Sequence, residues 1–122
     1  MRTILNDSEL DELLSNEWNR LMVEIDEAKP LKAWFDEPGD DAQNGTWVWS
    51  DDRYHLLVVE QGECTEWTTF DLDDLTWKLF SAPMLGIAKN MDGDEAQNVV
   101  ELASIIGPSC RRKAQAYYSA AA

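Results

Sequence analysis

Few residues in this chain are of types that do covalent or acid–base chemistry at neutral pH, and their spacing limits what they could do. There is one histidine, His55, and there are two cysteines, Cys64 and Cys110. A cysteine nucleophile needs an imidazole or another base within hydrogen-bond reach. On a hairpin of residues 53–60 and 64–70, Cys64 sits beside the Gln61-Gly62 turn and His55 near the other end, so the two are expected to lie well apart. A lone histidine in a strand is expected to be a satisfied structural residue. Carboxylate pairs are plentiful: Asp40-Asp41, Asp51-Asp52 and Asp73-Asp74. General acid–base work needs two carboxyls in contrasting environments within a cleft, whereas paired acids in turns and at helix starts are solvated. Asp92-Gly93-Asp94-Glu95 has some calcium-loop character but lacks the glycine at the sixth place and the glutamate at the twelfth. It reads as an acidic helix start. No glycine-rich phosphate loop is present. The chain is therefore expected not to be an enzyme, with no catalytic, cofactor-binding or metal-ligating residues.

What the sequence has in excess is acid. The 122 residues hold 24 Asp and Glu against 10 Lys and Arg, a net charge of −14. Every acid lies at or before Glu101; beyond it come Arg111, Arg112 and Lys113. Such a field repels nucleic acid and anionic membranes and steers basic partners inward. Acidity also serves solubility alone, and the two readings weigh about evenly. The short basic tract is too small for a nucleic-acid surface and is expected to pair with the acidic remainder. Six tryptophans in so short a chain carry large apolar areas and N–H groups that need partners, so some are expected at a contact surface. Two cysteines do not make a disulfide framework. With no apolar leader after Met1 and no membrane-length apolar run, the expected setting is cytoplasmic, with both thiols reduced.

These residues must be positioned by the elements around them. Leu10, Leu13, Leu14, Trp18, Leu21, Met22 and Ile25 follow helical spacing, which predicts a helix over 6–28, capped by Asp7 or Ser8 and ended by Pro30. On it, Glu17 is expected to pair with Arg20. Residues 31–45 read as an exposed acidic loop, with at most a short helical or extended piece. Strands are predicted at 46–50, 53–60 and 64–70, with Gly62 at positive φ in the second turn. Asp71 caps a helix that Pro83 kinks or restarts. Another helix begins at Asp92 or Asp94 and stops at Gly107-Pro108. A final turn or helix runs through Tyr118, and residues 120–122 should fray. The expected fold is a single α+β domain spanning 1–122. It has a three-stranded antiparallel meander packed on three to four helices, in the order α-βββ-α-α(-α).

The stretch 49–88 resembles the bacterial toxin-immunity family called immunity protein 63. A tyrosine-led apolar strand runs Tyr54-His55-Leu56-Leu57-Val58-Val59-Glu60-Gln61-Gly62, followed by Asp71-Leu72-Asp73-Asp74-Leu75 and Trp77-Lys78-Leu79-Phe80. Tyr54, Glu60, Gly62, Asp71, Leu75, Trp77, Phe80 and Ala88 match the family's pattern, while Gln61 stands where the family has Arg. The resemblance implies a protein that binds and neutralises a cognate polymorphic or contact-dependent toxin, such as a nuclease with a basic cleft. The competing reading is an acidic adaptor or nucleic-acid mimic that binds another basic protein. A small-ligand protein using a Trp-lined sheet ranks third. The candidate binding surface combines the meander's tryptophans with nearby acids: Trp47, Trp49, Asp51, Asp52, Glu63, Glu66 and Trp67. Whether the chain acts as monomer or dimer stays open.

Overall fold

The computed structural model describes residues 3–120. The expectations for the two chain ends therefore fall partly on residues 1, 2, 121 and 122, outside that range. The elements run α1 (Asp7–Glu24), β1 (Ala33–Trp34), β2 (Gly45–Ser50), β3 (Tyr54–Glu60), β4 (Glu63–Thr69), α2 (Leu72–Ala88), α3 (Glu95–Ile106) and α4 (Pro108–Ala120). The fold is α+β, but the three-stranded antiparallel meander is incorrect. The sheet has four strands in the order β1-β2-β3-β4, and it is mixed, because β1 runs parallel to β2. A strand of two residues shows no alternation to read, and its partner lies beyond the acidic loop 35–44. Trp34 is what seats it: a Cβ on Gly45 would come within 2.6 Å of the Trp34 ring. Only a glycine there, at φ +145°, lets the indole lie over the start of β2.

α1 starts one residue earlier than its sequence suggests. Asn6 Oδ1 accepts from Glu9 N at 2.8 Å, and Glu9 Oε1 accepts from Asn6 N at 3.0 Å, a reciprocal capping box. Asp7 is thereby released from capping, and its Oδ1 accepts from Ser50 N at 2.8 Å. Leu5 N donates to the Tyr54 hydroxyl at 3.0 Å, and Ser50 Oγ donates to the Leu5 carbonyl. These bonds tie the front of α1 to the β2–β3 turn. The helix ends at Glu24, well before Pro30, because Ile25 is already extended. Trp18 Nε1 donates to the Lys29 carbonyl at 2.7 Å and folds the following chain back onto α1.

Gln61 (φ +51°) and Gly62 (φ +84°) make the β3–β4 turn, a two-residue hairpin with both φ angles positive, as strand twist requires. Asp71 caps α2 as expected, accepting from Asp73 N and Asp74 N. α2 continues through Pro83 as one helix and does not restart there; Leu79, Phe80, Met84 and Ile87 are buried on either side of the proline. Asp94 caps α3. Arg20 forms no ion pair with Glu17 among the described residues. Instead its Nη1 donates to the Ile106 carbonyl at 3.0 Å, capping the end of α3 from α1. Lys113 pairs with Asp74, so α4 is held to the start of α2 by the pairing expected of the basic tract.

One core joins Leu10, Leu14, Trp18 and Leu21 of α1 to Val48, Tyr54 and Leu56 of the sheet and to α2, α3 and the front of α4. The Trp18 and Phe80 rings meet at 5.2 Å. No helix among the described residues is long and apolar enough to cross a membrane.

Gln61 holds a conformation that costs a side-chain-bearing residue about 1 kcal/mol or more and that asparagine or glycine tolerates. Gln61→Asn should therefore raise the urea midpoint by an amount corresponding to up to about 1 kcal/mol. An unchanged or lower midpoint would show that the turn is not strained.

Candidate protein-binding face

Alternation divides the sheet into two faces, and strand register assigns every residue to one of them. Thr46, Val48 and Ser50 share a side with Tyr54, Leu56 and Val58, and with Thr65, Trp67 and Thr69. The helices pack on this side: Val48, Tyr54 and Leu56 belong to the core, with Val58 and Trp67 against it. The opposite side carries Trp34, Trp47, Trp49, His55, Leu57, Val59, Cys64, Glu66 and Thr68. None of these joins the helical core. Trp49 and Val59 are nonetheless only 8% and 4% exposed, so their cover comes from outside that core.

The register sets Trp34 beside Trp47, then Leu57, then Glu66; the next row is Trp49, His55 and Thr68. Trp34 and Trp47 pack as a tilted pair at 4.5 Å, and Trp34 remains 41% exposed. Trp47 Nε1 donates to the Gln43 carbonyl at 3.1 Å, holding the end of the acidic loop against this face. The Trp49 indole stacks flat on the His55 imidazole, 4.9 Å apart and 3° from parallel.

His55 stands between two carboxylates: Nε2 is 2.8 Å from Asp51 Oδ1, and Nδ1 is 3.3 Å from Glu66 Oε1. Carboxylates only accept, so a doubly protonated ring donates to both and a neutral ring to one. The His55 contact, aided by the Arg53 backbone N–H, holds the Asp51 carboxyl down at about 2. Asp52 is taken up separately. Both its oxygens face the Arg53 guanidinium at 3.2 Å, which also lies 4.7 Å over the Phe70 ring. Asp51, Asp52 and His55 each bring a potential ligand atom within 4.8 Å of the others. These atoms are already committed to one another and to Arg53, and a cation would have to displace those contacts.

The seven residues proposed for the binding surface divide between the two sides. Trp47 and Trp49 face outward together, and His55 links Asp51 and Glu66 to them. Asp52 lies next to this group. Trp67 instead faces the helices, with Lys78 Nζ 5.8 Å from its ring centre, because it shares a row with Val48 and Leu56. Glu63 pairs with Glu60 across the turn, on Trp67's side of the strand. Sequence reasoning missed Trp34, His55, Leu57 and Val59. The last three alternate in phase with Trp47 and Trp49 once the hairpin register is known, and that phase was the available signal. Trp34 left none.

The nucleophile candidates are dispersed. Cys64 lies opposite Val59, and His55 lies opposite Thr68, four residues apart along the strands and therefore about 13 Å distant. Cys110 is buried, and burial, followed by the charges of Glu17 and Asp73, pushes its thiol up to about 12. It is held as the unreactive thiol. Desolvation also raises the half-buried Glu17 carboxyl, against the pull of Arg20.

Compared with known proteins, the chain matches no family model, no curated protein and no solved structure.

Asp51 is lowered from 3.8 to about 2 on folding, so its charged form is favoured in the native state. That contribution is complete above about pH 4 and is lost as pH falls toward 2. Denaturation midpoints measured across this window should fall less steeply for Asp51→Asn than for the native chain. Parallel profiles would mean that the His55–Asp51 contact does not form in solution.

Proposed function

We propose that this chain is an inhibitory binding protein that docks its open sheet face onto a basic partner. The partner we favour is the bacterial toxin domain implied by the resemblance over residues 49–88. One observation carries the reading: the sheet face without helical cover presents an exposed Trp34 packed on a half-buried Trp47 and has carboxylates along its edge. Such aromatic pairs supply the buried anchors of an interface. Asp51 and Glu66 lie at the margin, and exposed Asp36, Glu37, Asp40 and Asp41 occupy the loop that joins Trp34 to β2. Arg53 is a cation at this margin, and Asp52 engages it. A partner with a basic cleft would meet charge complementarity at the rim and apolar surface at the centre, which favours fast association and slow release.

The residues behind the resemblance have scaffold roles. Tyr54 is buried and anchors Leu5, Asp71 caps α2, and Leu75, Phe80 and Ala88 are core residues. They hold the hairpin against α2, and the outward side chains between them are left to read the partner.

The test is binding between this chain and the product of the gene beside its own. Trp34→Ala and Trp47→Ala should each weaken binding about thirtyfold, the cost of about 2 kcal/mol at an interface anchor, mainly through faster dissociation. Neutralising Asp36, Glu37, Asp40 and Asp41 together should slow association and flatten its salt dependence. Trp67→Ala should leave the affinity unchanged. If both outward tryptophan variants bind like the native chain, the face is misassigned. If the adjacent product does not bind while native lysate yields a polymerase, restriction enzyme or secretion component, the adaptor or nucleic-acid-mimic reading replaces the toxin.

A further inference from the structure

We propose a second site on the other side of the sheet: the cleft between α2, the inner face of β2 and β3, and the chain following α1 binds a small aliphatic carboxylate. The cavity measures about 550 Å³, within the range of small-molecule pockets. Its walls are largely apolar and include Leu31, Leu56, Val58, Leu79 and Ile87. Among its charged groups lysines outnumber carboxylates, the reverse of the chain as a whole. Lys29, Lys32 and Lys78 line the cleft, three of the ten basic residues in a chain of net charge −14. None forms an ion pair among the described residues. Glu27 and Glu60 line the same cleft, yet neither comes within ion-pair distance of a lysine. In a molecule with so many carboxylates, Lys29 and Lys32 without an ion-pair partner beside an apolar cavity, with Lys78 held over the Trp67 ring at its margin, are suited to an anion supplied from outside.

The α2 wall points the same way. Pro83 and Gly86 both line the cleft, one helical turn apart, and they are the two residue types least suited to a helix interior. Gly86 has no packing reason to be glycine, since a Cβ placed on it meets nothing within 4 Å. The missing side chain leaves space open in the cleft at the expense of the helix. Trp18, held through its Nε1 by the Lys29 carbonyl, closes the floor and fixes the segment that carries Lys29 and Lys32. An apolar chain would lie along the Leu56 and Val58 side of the sheet, with its carboxylate among the lysines. A carboxylate is favoured over a neutral head group because lysine only donates and carries full charge.

Decanoate and decanol serve as probes in calorimetric titrations of the intact chain. Decanoate should bind saturably at one site. The double variant Lys29→Gln, Lys32→Gln should weaken decanoate about fivefold or more while leaving decanol unchanged. Gly86→Leu should fill the cleft and abolish binding of both probes, with an unfolding midpoint at or above the native value. Should it fail to fold, Ala82→Leu on the same wall tests the same blockage. Trp34→Ala, on the outer face, should bind decanoate like the native chain. The proposal is overturned if the native chain shows no saturable decanoate binding, if the lysine variant binds decanoate normally or loses decanol equally, or if the filled cleft still binds.

Discussion

A four-stranded sheet has two faces, and this chain places its helices on one of them. The row of Val48, Leu56 and Trp67 turns toward the helices, and the packing of α1 and α2 follows from burying that row with Tyr54. The hydrogen bonds from Ser50 to Asp7 and from Leu5 to Tyr54 then fix where α1 begins relative to the β2–β3 turn. Burying one face creates the problem of the other. The outer face is nearly as apolar as the inner one, so its side chains have to find cover without that helical core. Trp49 lies flat against an imidazole held by two carboxylates, and Trp34 lies over a glycine that leaves room for it. The short strand β1 exists because of that second contact.

Charge is distributed to match. The outer face and its adjoining loop carry carboxylates with almost no opposing cation, while three lysines gather on the inner side around an apolar cleft. The cysteines and Glu17 fall outside both regions: Cys110 is held as a thiol by burial, and Cys64 lies at the far end of the hairpin from the only imidazole.

Local conflicts mark the same places. Gln61 takes a positive φ to close a tight hairpin, and Pro83 and Gly86 sit inside a helix that neither favours. α2 survives its proline because apolar residues on both sides of it are buried, and tertiary burial outweighs the loss of one helical hydrogen bond. These are the positions where local preference and global structure disagree, and such disagreements collect where a fold serves something besides stability.

Much of the scaffold was legible in the residues. The apolar spacing of α1 and α3, the cap at Asp71, the turn at Gly62 and the three longer strands all follow from patterns that repeat within a few residues. The alternation of Trp47 and Trp49 was legible too, and with it the fact that they share a face. Which face stayed hidden, because alternation gives the phase within a strand but not which side the helices will cover. Trp67 was placed with them on composition, whereas its register partner Leu56 turns it inward. A short extended piece before the acidic loop was allowed for, but the pairing of β1 and the place of Trp34 were not legible, because a two-residue strand has no period and its partner is chosen across a loop. Arg20 was assigned to its neighbour Glu17 when it caps a helix from far along the chain. What the sequence determined alone was the set of elements and the sign of the charge, since both are local sums. The faces, the sheet edge and the cleft were decided by tertiary structure, because each depends on contacts between residues that only folding brings together.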